Sequence, residues 1–309
     1  MINEKQLEKF LRKRKRSIKN PTKYADVVRR NEERVGFYLN NGSTGVSEDT
    51  TVSLPFLPWE FLETELEVPT DYYEMSAQSM LIQEGKLCSN ALSHSLCFAH
   101  INCIITYFTH KRYVIRFDRE REGGVSPDSV FYLVMAVILQ QSTRAEHIFK
   151  LLQVGYPKFW INRSESHIGD FIILLFDAVK GGKQLVPIVD DFVYTDIIAR
   201  WDTDDVQELT GYLTQLCDDQ VAQVASPPSK MYFEFDNMNW QFTPYAALLL
   251  LALRAERGLP NPDFSHPGFG NITQLLPDEP VAPVEDELLS QLLACIRDQG
   301  FDEETLMNA

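Results

Sequence analysis

The stretch His167-Ile-Gly-Asp-Phe-Ile-Ile-Leu-Leu-Phe-Asp-Ala-Val179 is apolar almost all the way round a helical wheel, and Gly181-Gly182 follows it. A helix without a polar face must be covered on every side, so this segment is predicted to be buried and to stop at the glycine pair. Residues 243–256, Thr-Pro-Tyr-Ala-Ala-Leu-Leu-Leu-Leu-Ala-Leu-Arg-Ala-Glu, are nearly as apolar and predict a second buried helix.

The helical period extends outward from these two segments. Residues 72–109 can make one long helix or two, with Met80, Leu81, Leu87, Leu92, Leu96, Phe98, Ile101 and Ile105 turned inward. Ser126-Pro127-Asp128 reads as a helix start with Ser126 as N-cap, and the helix after it runs to about Leu139; Ala145–Val154 follows. Residues 193–200 and 203–224 read as a pair, with Thr203 as N-cap of the second, and Glu285–Gln299 is an amphipathic terminal helix. Asn3–Lys19 is helix-prone with a thin apolar stripe of Leu7, Phe10, Leu11 and Ile18. Residues 40–53 read as a linker, Pro55, Pro58 and Pro69 punctuate an extended stretch with Phe56, Trp59 and Phe61, and 258–283 read as a wrapping loop. Only Tyr113–Phe117 alternates like a short strand. The expected architecture is all-α, a multi-helix bundle of antiparallel pairs with little or no β structure. Its expected divisions are a basic helix and linker (1–53), a helical body (54–283), and a C-terminal helix (284–309) packed on or tethered to the body.

With 309 residues, 44% of them hydrophobic and 11% aromatic, the chain can bury a substantial core. No uninterrupted apolar run approaches the ~18 residues of a membrane span, and the basic N-terminus is not followed by an apolar stretch, so a cytoplasmic location is expected. Five scattered cysteines (Cys88, Cys97, Cys103, Cys217 and Cys295) read as core thiols of a reducing compartment.

Charge is segregated along the chain. The net charge is −15, yet residues 1–35 hold 12 Lys/Arg against 5 Asp/Glu, and the other 274 residues carry 17 basic against 39 acidic side chains. So acidic a body repels nucleic acid and anionic membrane and attracts basic partners; the basic head could also fold back onto it. The densest signal lies between Asp190 and Asp219, where nine carboxylates (Asp190, Asp191, Asp196, Asp202, Asp204, Asp205, Glu208, Asp218 and Asp219) face one base, Arg200. First-turn helix charges account for Asp202, Asp204 and Asp205. The remainder lack compensating lysines four residues on, so the face costs self-repulsion that a basic partner would relieve. Trp201, Tyr194 and Tyr212 lie among them as candidate interface anchors. The alternative is an ordinary solvated face.

Catalytic patterns are weak. Cys97-x-x-His100-x-x-Cys103, with His94 and Cys88 nearby, has metal-ligating residue types, but three-residue steps drift by about 60° each on a helix, which suits one tetrahedral ion poorly. His167 with Asp170 and Glu165 could be an acid–base group, though no nucleophile or oxyanion motif accompanies it; the plainer reading makes Ser164 the cap of the buried helix. Phosphate-binding glycine loops, G-x-S-x-G and H-E-x-x-H are absent from the sequence. No cofactor and no metal are expected.

Trp240-Gln-Phe242-Thr-Pro244-Tyr-Ala246-Ala-Leu-Leu-Leu, followed by Leu259-Pro-Asn-Pro-Asp263-Phe-Ser-His266-Pro267, resembles the C-terminal signature of the PoNi-type immunity proteins, which neutralise DNase toxins of polymorphic and type VI secretion systems. Met238-Asn239 stand where that signature has glycine and tyrosine, and Thr243-Pro244 stand near its glutamate. The resemblance implies an all-helical fold, an acidic surface, no cofactor, and inhibition by binding a cognate toxin. The function expected is therefore an immunity protein binding a basic toxin, with an effector chaperone or adaptor as the alternative and a hydrolase using His167 as a third possibility.

Overall fold

The computed structural model describes residues 2–18, 23–42, 58–161, 166–182, 185–227, 234–235 and 239–308. Among them the chain forms twelve α-helices and one two-stranded hairpin, so the fold is all-α. In chain order the helices are α1 (Glu4–Arg16), α2 (Ala25–Asn41), α3 (Pro58–Glu84), α4 (Ser89–Phe117), α5 (Ser129–Ile138), α6 (Ser142–Gly155), α7 (His167–Lys180), α8 (Thr195–Ala199), α9 (Val206–Ala225), α10 (Tyr245–Glu256), α11 (Glu287–Asp298) and α12 (Glu303–Met307). Strands β1 (Ser265–His266) and β2 (Gly270–Asn271) pair antiparallel between α10 and α11.

The helices that are apolar all round form the centre. Every residue of α5 is buried, as are Tyr245–Arg254 of α10 and most of α7. α4 is buried almost without break from Ala91 to His110. By length and composition α4 could cross a bilayer, but 89% of its most apolar window is covered by the rest of the protein, as in a core helix. α3 packs along α4, α5 sits against α4, α6 and α10, and α10 also touches α7 and α9. Phe131, Trp240 and Tyr245 interlock where α5 meets α10: the Phe131 and Trp240 rings stack at 4.4 Å, and Tyr245 meets Trp240 edge-on at 4.8 Å. The tryptophan of the 240–267 segment is thus a core residue, fully buried.

Several local expectations change. Pro58 and Pro69 lie in a helix, not an extended stretch. Pro58 occupies the first position, where a missing N–H costs nothing, and Pro69 is carried inside a 27-residue helix whose tertiary packing outweighs the one hydrogen bond it removes. Phe56 and Pro55 lie outside the described residues, as does most of the 40–53 linker. The 72–109 region is two helices, broken at Gly85, whose φ of 69° is the left-handed conformation of a helix end. Met80 points outward, 38% exposed. Tyr113–Phe117 is the last turn of α4, not a strand. α5 begins at Ser129, with Asp128 at the cap position; the Ser126 hydroxyl instead accepts from the Asp128 N–H at 3.3 Å in the turn before it. The 258–283 loop contains the β1–β2 hairpin and a short 3₁₀ turn, Thr273–Leu275.

The basic N-terminal helix is seated on the body. α1 lies along α9, with Phe10 fully buried between Phe242 (5.4 Å) and Phe269 (5.1 Å). The Lys13 ammonium donates to the Val224 carbonyl at the end of α9, where helix carbonyls are left without partners. Phe10→Ala is expected to cost about 3–5 kcal/mol, the usual cost of emptying a buried aromatic site. A denaturant midpoint unchanged by the substitution would mean that α1 is not part of the cooperative core.

One buried acid carries a stability signature. Glu74 on α3 is fully buried; the Ser95 hydroxyl donates to it at 3.3 Å and the Asn239 amide approaches at 3.5 Å. Burial pushes its carboxyl well above the usual range, and the charges of Asp71 and Asp128 push it further. A pKa raised by folding stabilises the native state below the unfolded value and loses that contribution as pH rises through the folded value. Glu74→Gln should therefore gain melting temperature over the parent as pH is raised from 5 to 8. A gap that is constant or shrinks with pH would contradict the assignment.

Candidate functional site

The acidic segment runs from the loop after α7, through α8, into the first turns of α9. It is held to the core from beneath. Asp170, fully buried on α7, accepts the Ile188 and Val189 N–H groups at 2.7 and 2.9 Å. Arg254 on α10, 1% exposed, donates to the Trp201 carbonyl at 2.6 Å, to the Pro260 carbonyl at 2.9 Å and to Asn261 Oδ1 at 3.3 Å. Burial lowers the Arg254 pKa while the nearby Asp204 and Asp202 charges raise it. A guanidinium this deep needs such partners, since an uncompensated buried charge costs several kcal/mol.

With that anchoring, the nine carboxylates separate into two groups. Asp218 is buried, 8% exposed; it accepts the Ile2 N–H at 3.2 Å and pairs with His266 Nε2 at 3.1 Å. Asp219 accepts the Tyr194 hydroxyl at 3.1 Å, and burial pushes its carboxyl up against that hydrogen bond. Asp218 belongs to the interior and Asp219 is half-buried and hydrogen-bonded, so both are set apart from the expected surface. Asp205 rather than Thr203 is the N-cap of α9, accepting from the Gln207 and Glu208 N–H groups at 2.8 and 3.2 Å. Thr203 instead donates to Glu208 at 2.6 Å. Glu208 also takes the Arg200 guanidinium at 2.7 Å and the Tyr212 hydroxyl at 2.9 Å. Glu208 and Tyr212 thus bond each other, both half-buried.

Asp190, Asp191, Asp196, Asp202 and Asp204 remain. All five are exposed, and none forms an ion pair among the described residues. Asp191 has a φ of 54°, a left-handed conformation that aspartate tolerates better than most residues. Trp201 is half-buried beside Asp202 and packs against the core. The sequence pattern located this segment but could not separate the five acids unpaired among the described residues from the four bonded ones.

The members of the acid–base and metal candidates make separate contacts. Asp170 is committed to the 188–189 backbone, and Glu165 and Ser164 lie outside the described residues. Ser166 is the cap of α7, accepting from the Gly169 N–H at 3.0 Å, while Glu234 accepts the Ile168 N–H at 2.7 Å. The His167 ring lies parallel to Phe192 at 6.4 Å, and its Nδ1 is buried without a hydrogen-bond partner among the described residues. On α4, Cys97 Sγ contacts the Val284 carbonyl at 3.4 Å and Arg144 at 3.1 Å, and burial pushes the Cys103 thiol up to about 12. His100 turns to His147 instead, Nε2 to Nδ1 at 2.9 Å, and burial with the Arg144 charge holds its pKa well below the ordinary value. Among the described residues no three His, Cys, Asp or Glu side chains group as metal ligands. The chain matches no protein-family model, no curated protein and no solved structure.

Proposed function

We propose that this protein is an immunity protein of a polymorphic or type VI toxin system, acting in the cytoplasm by binding a cognate basic toxin, most simply a nuclease effector. The observation that carries the reading is the set of five exposed carboxylates, Asp190, Asp191, Asp196, Asp202 and Asp204, unpaired among the described residues along one anchored segment. Such a face repels itself and is relieved by a basic partner. A nuclease must present a positive groove for phosphates, which an acidic surface can cover. The resemblance of residues 240–267 to PoNi-type immunity proteins supports the same reading. The experiment is co-expression with the product of the adjacent gene, scoring growth, followed by toxin activity with and without the purified protein. Rescue with loss of toxin activity supports an immunity protein. A stable complex whose toxin stays active would instead make the protein an effector chaperone, the other role suited to an acidic surface.

A further inference from the structure

Between α7 and α8 lies an open groove of about 800 Å³. Its walls are mostly apolar, formed by Leu174, Leu185, Phe192 and Ile198, and by Ala199 at the end of α8. Asp177 is the one ionisable side chain among its described lining residues. That side chain is 2% exposed. One carboxylate oxygen, Oδ2, accepts the Leu185 N–H at 3.1 Å, while Oδ1 is buried with no hydrogen-bond partner among the described residues. Gly182 closes over it: a Cβ there would fall 1.9 Å from Oδ1, so the turn is built around the carboxylate. Val186 and Val193, 72% and 53% exposed, neighbour the lining residues in sequence, as do Asp191 and Asp196, and Asp190 stands two residues before Phe192.

An apolar trough with a half-satisfied carboxylate in its wall is costly in isolation. Low-dielectric walls also focus the field of that charge into the trough, adding to that of the exposed Asp190, Asp191 and Asp196 on the segment that forms one wall. We propose that this groove is the docking site for a short amphipathic basic segment of the partner protein. Aliphatic side chains of that segment lie on Leu174, Leu185 and Ile198, and lysine or arginine side chains lie in the negative field of Asp177 and the neighbouring aspartates. Charge complementarity selects this occupant: the exposed Asp190, Asp191 and Asp196 of the same segment favour a basic partner segment and repel an acidic one, and the field of the buried Asp177 carboxylate has the same sign. The inference rests on the proposed function, since it names where the basic partner inserts.

The test is a methyl NMR titration of the full-length protein with acetyl-Lys-Leu-Arg-Leu-Lys-Leu-amide, with a glutamate-for-base peptide and a glycine-for-leucine peptide as controls. Shifts are expected at the Leu174, Leu185 and Ile198 methyls with the first peptide and not with either control. Ala199→Arg, an exposed change that brings a cation into the groove from the protein itself, should weaken binding at least tenfold; Asp177→Asn, which keeps an acceptor for Leu185, should weaken it about threefold or more. Equal shifts with the acidic peptide, shifts confined to other methyls, or no shifts at all would overturn the proposal. In cells, an Ala199→Arg variant that folds and protects fully, beside a protective parent, would remove the groove while leaving the immunity reading intact; a parent that never protects would remove that reading first.

Discussion

Changing Asp196, Asp202 and Asp204 together to lysine is expected to abolish protection against the cognate toxin while leaving the protein folded. All three are exposed and unpaired among the described residues, so each substitution should shift stability by only about 0.5 kcal/mol. Asp196 in the first turn of α8, and the two acids near buried Arg254, can raise that somewhat through the helix dipole and lost attraction. Close charge pairs across an interface couple by about 1.5 kcal/mol or more, so three lost pairs amount to about 4.5 kcal/mol, on the order of a thousandfold in affinity. Asp205 and Glu208 are poor choices for this experiment. Reversing them would remove the α9 cap and the Arg200 pair, and a folding defect would masquerade as lost binding. The readouts are growth rescue, affinity by titration calorimetry and thermal melting. A triple variant that melts like the parent and still protects would reduce the acidic segment to a solvated face.

Leu249→Asp is expected to leave no folded protein at all. Leu249 is 0% exposed on α10, the helix that contacts α5, α7 and α9 at the centre of the molecule. Its carboxylate would have no cation and no room for water, at a cost of several kcal/mol on top of the lost packing. Set against a total stability of about 5–15 kcal/mol, that is enough to remove the native state. Leu249→Met keeps the volume and polarity and should cost less than about 1.5 kcal/mol. Soluble yield and the cooperativity of the circular dichroism melt measure both. A cooperative melt for Leu249→Asp near that of the parent would mean that α10 is not central to the core. Comparing the two sets of variants separates binding from folding: the surface triple is folded and unprotective, the core variant simply absent.

The helical class was legible in the residues because burial and periodicity are local properties: a segment such as 167–179 or 243–256 has no polar face whatever it packs against. The capping of α7 and α9 was legible to within two residues, since any of several neighbouring Ser, Thr or Asp side chains can satisfy the first N–H groups, and only the backbone path selects Ser166 and Asp205. Pro69 inside α3 departs from its local signal for a related reason: the local penalty is overruled by packing along α4. The acidic run between 190 and 219 was visible as composition, but which charges are free was a tertiary decision. Asp218 is hydrogen-bonded by His266, 48 residues away, and by Ile2, 216 residues away; Asp219 by Tyr194, 25 residues before it. A carboxylate's hydrogen-bonding fate depends on atoms within about 3 Å, and in a folded chain those come from anywhere in the sequence. The same holds for the groove at Asp177: its apolar walls come from α7 and from the 185–199 segment, and nothing in either stretch alone shows that one carboxylate oxygen has no partner among the described residues.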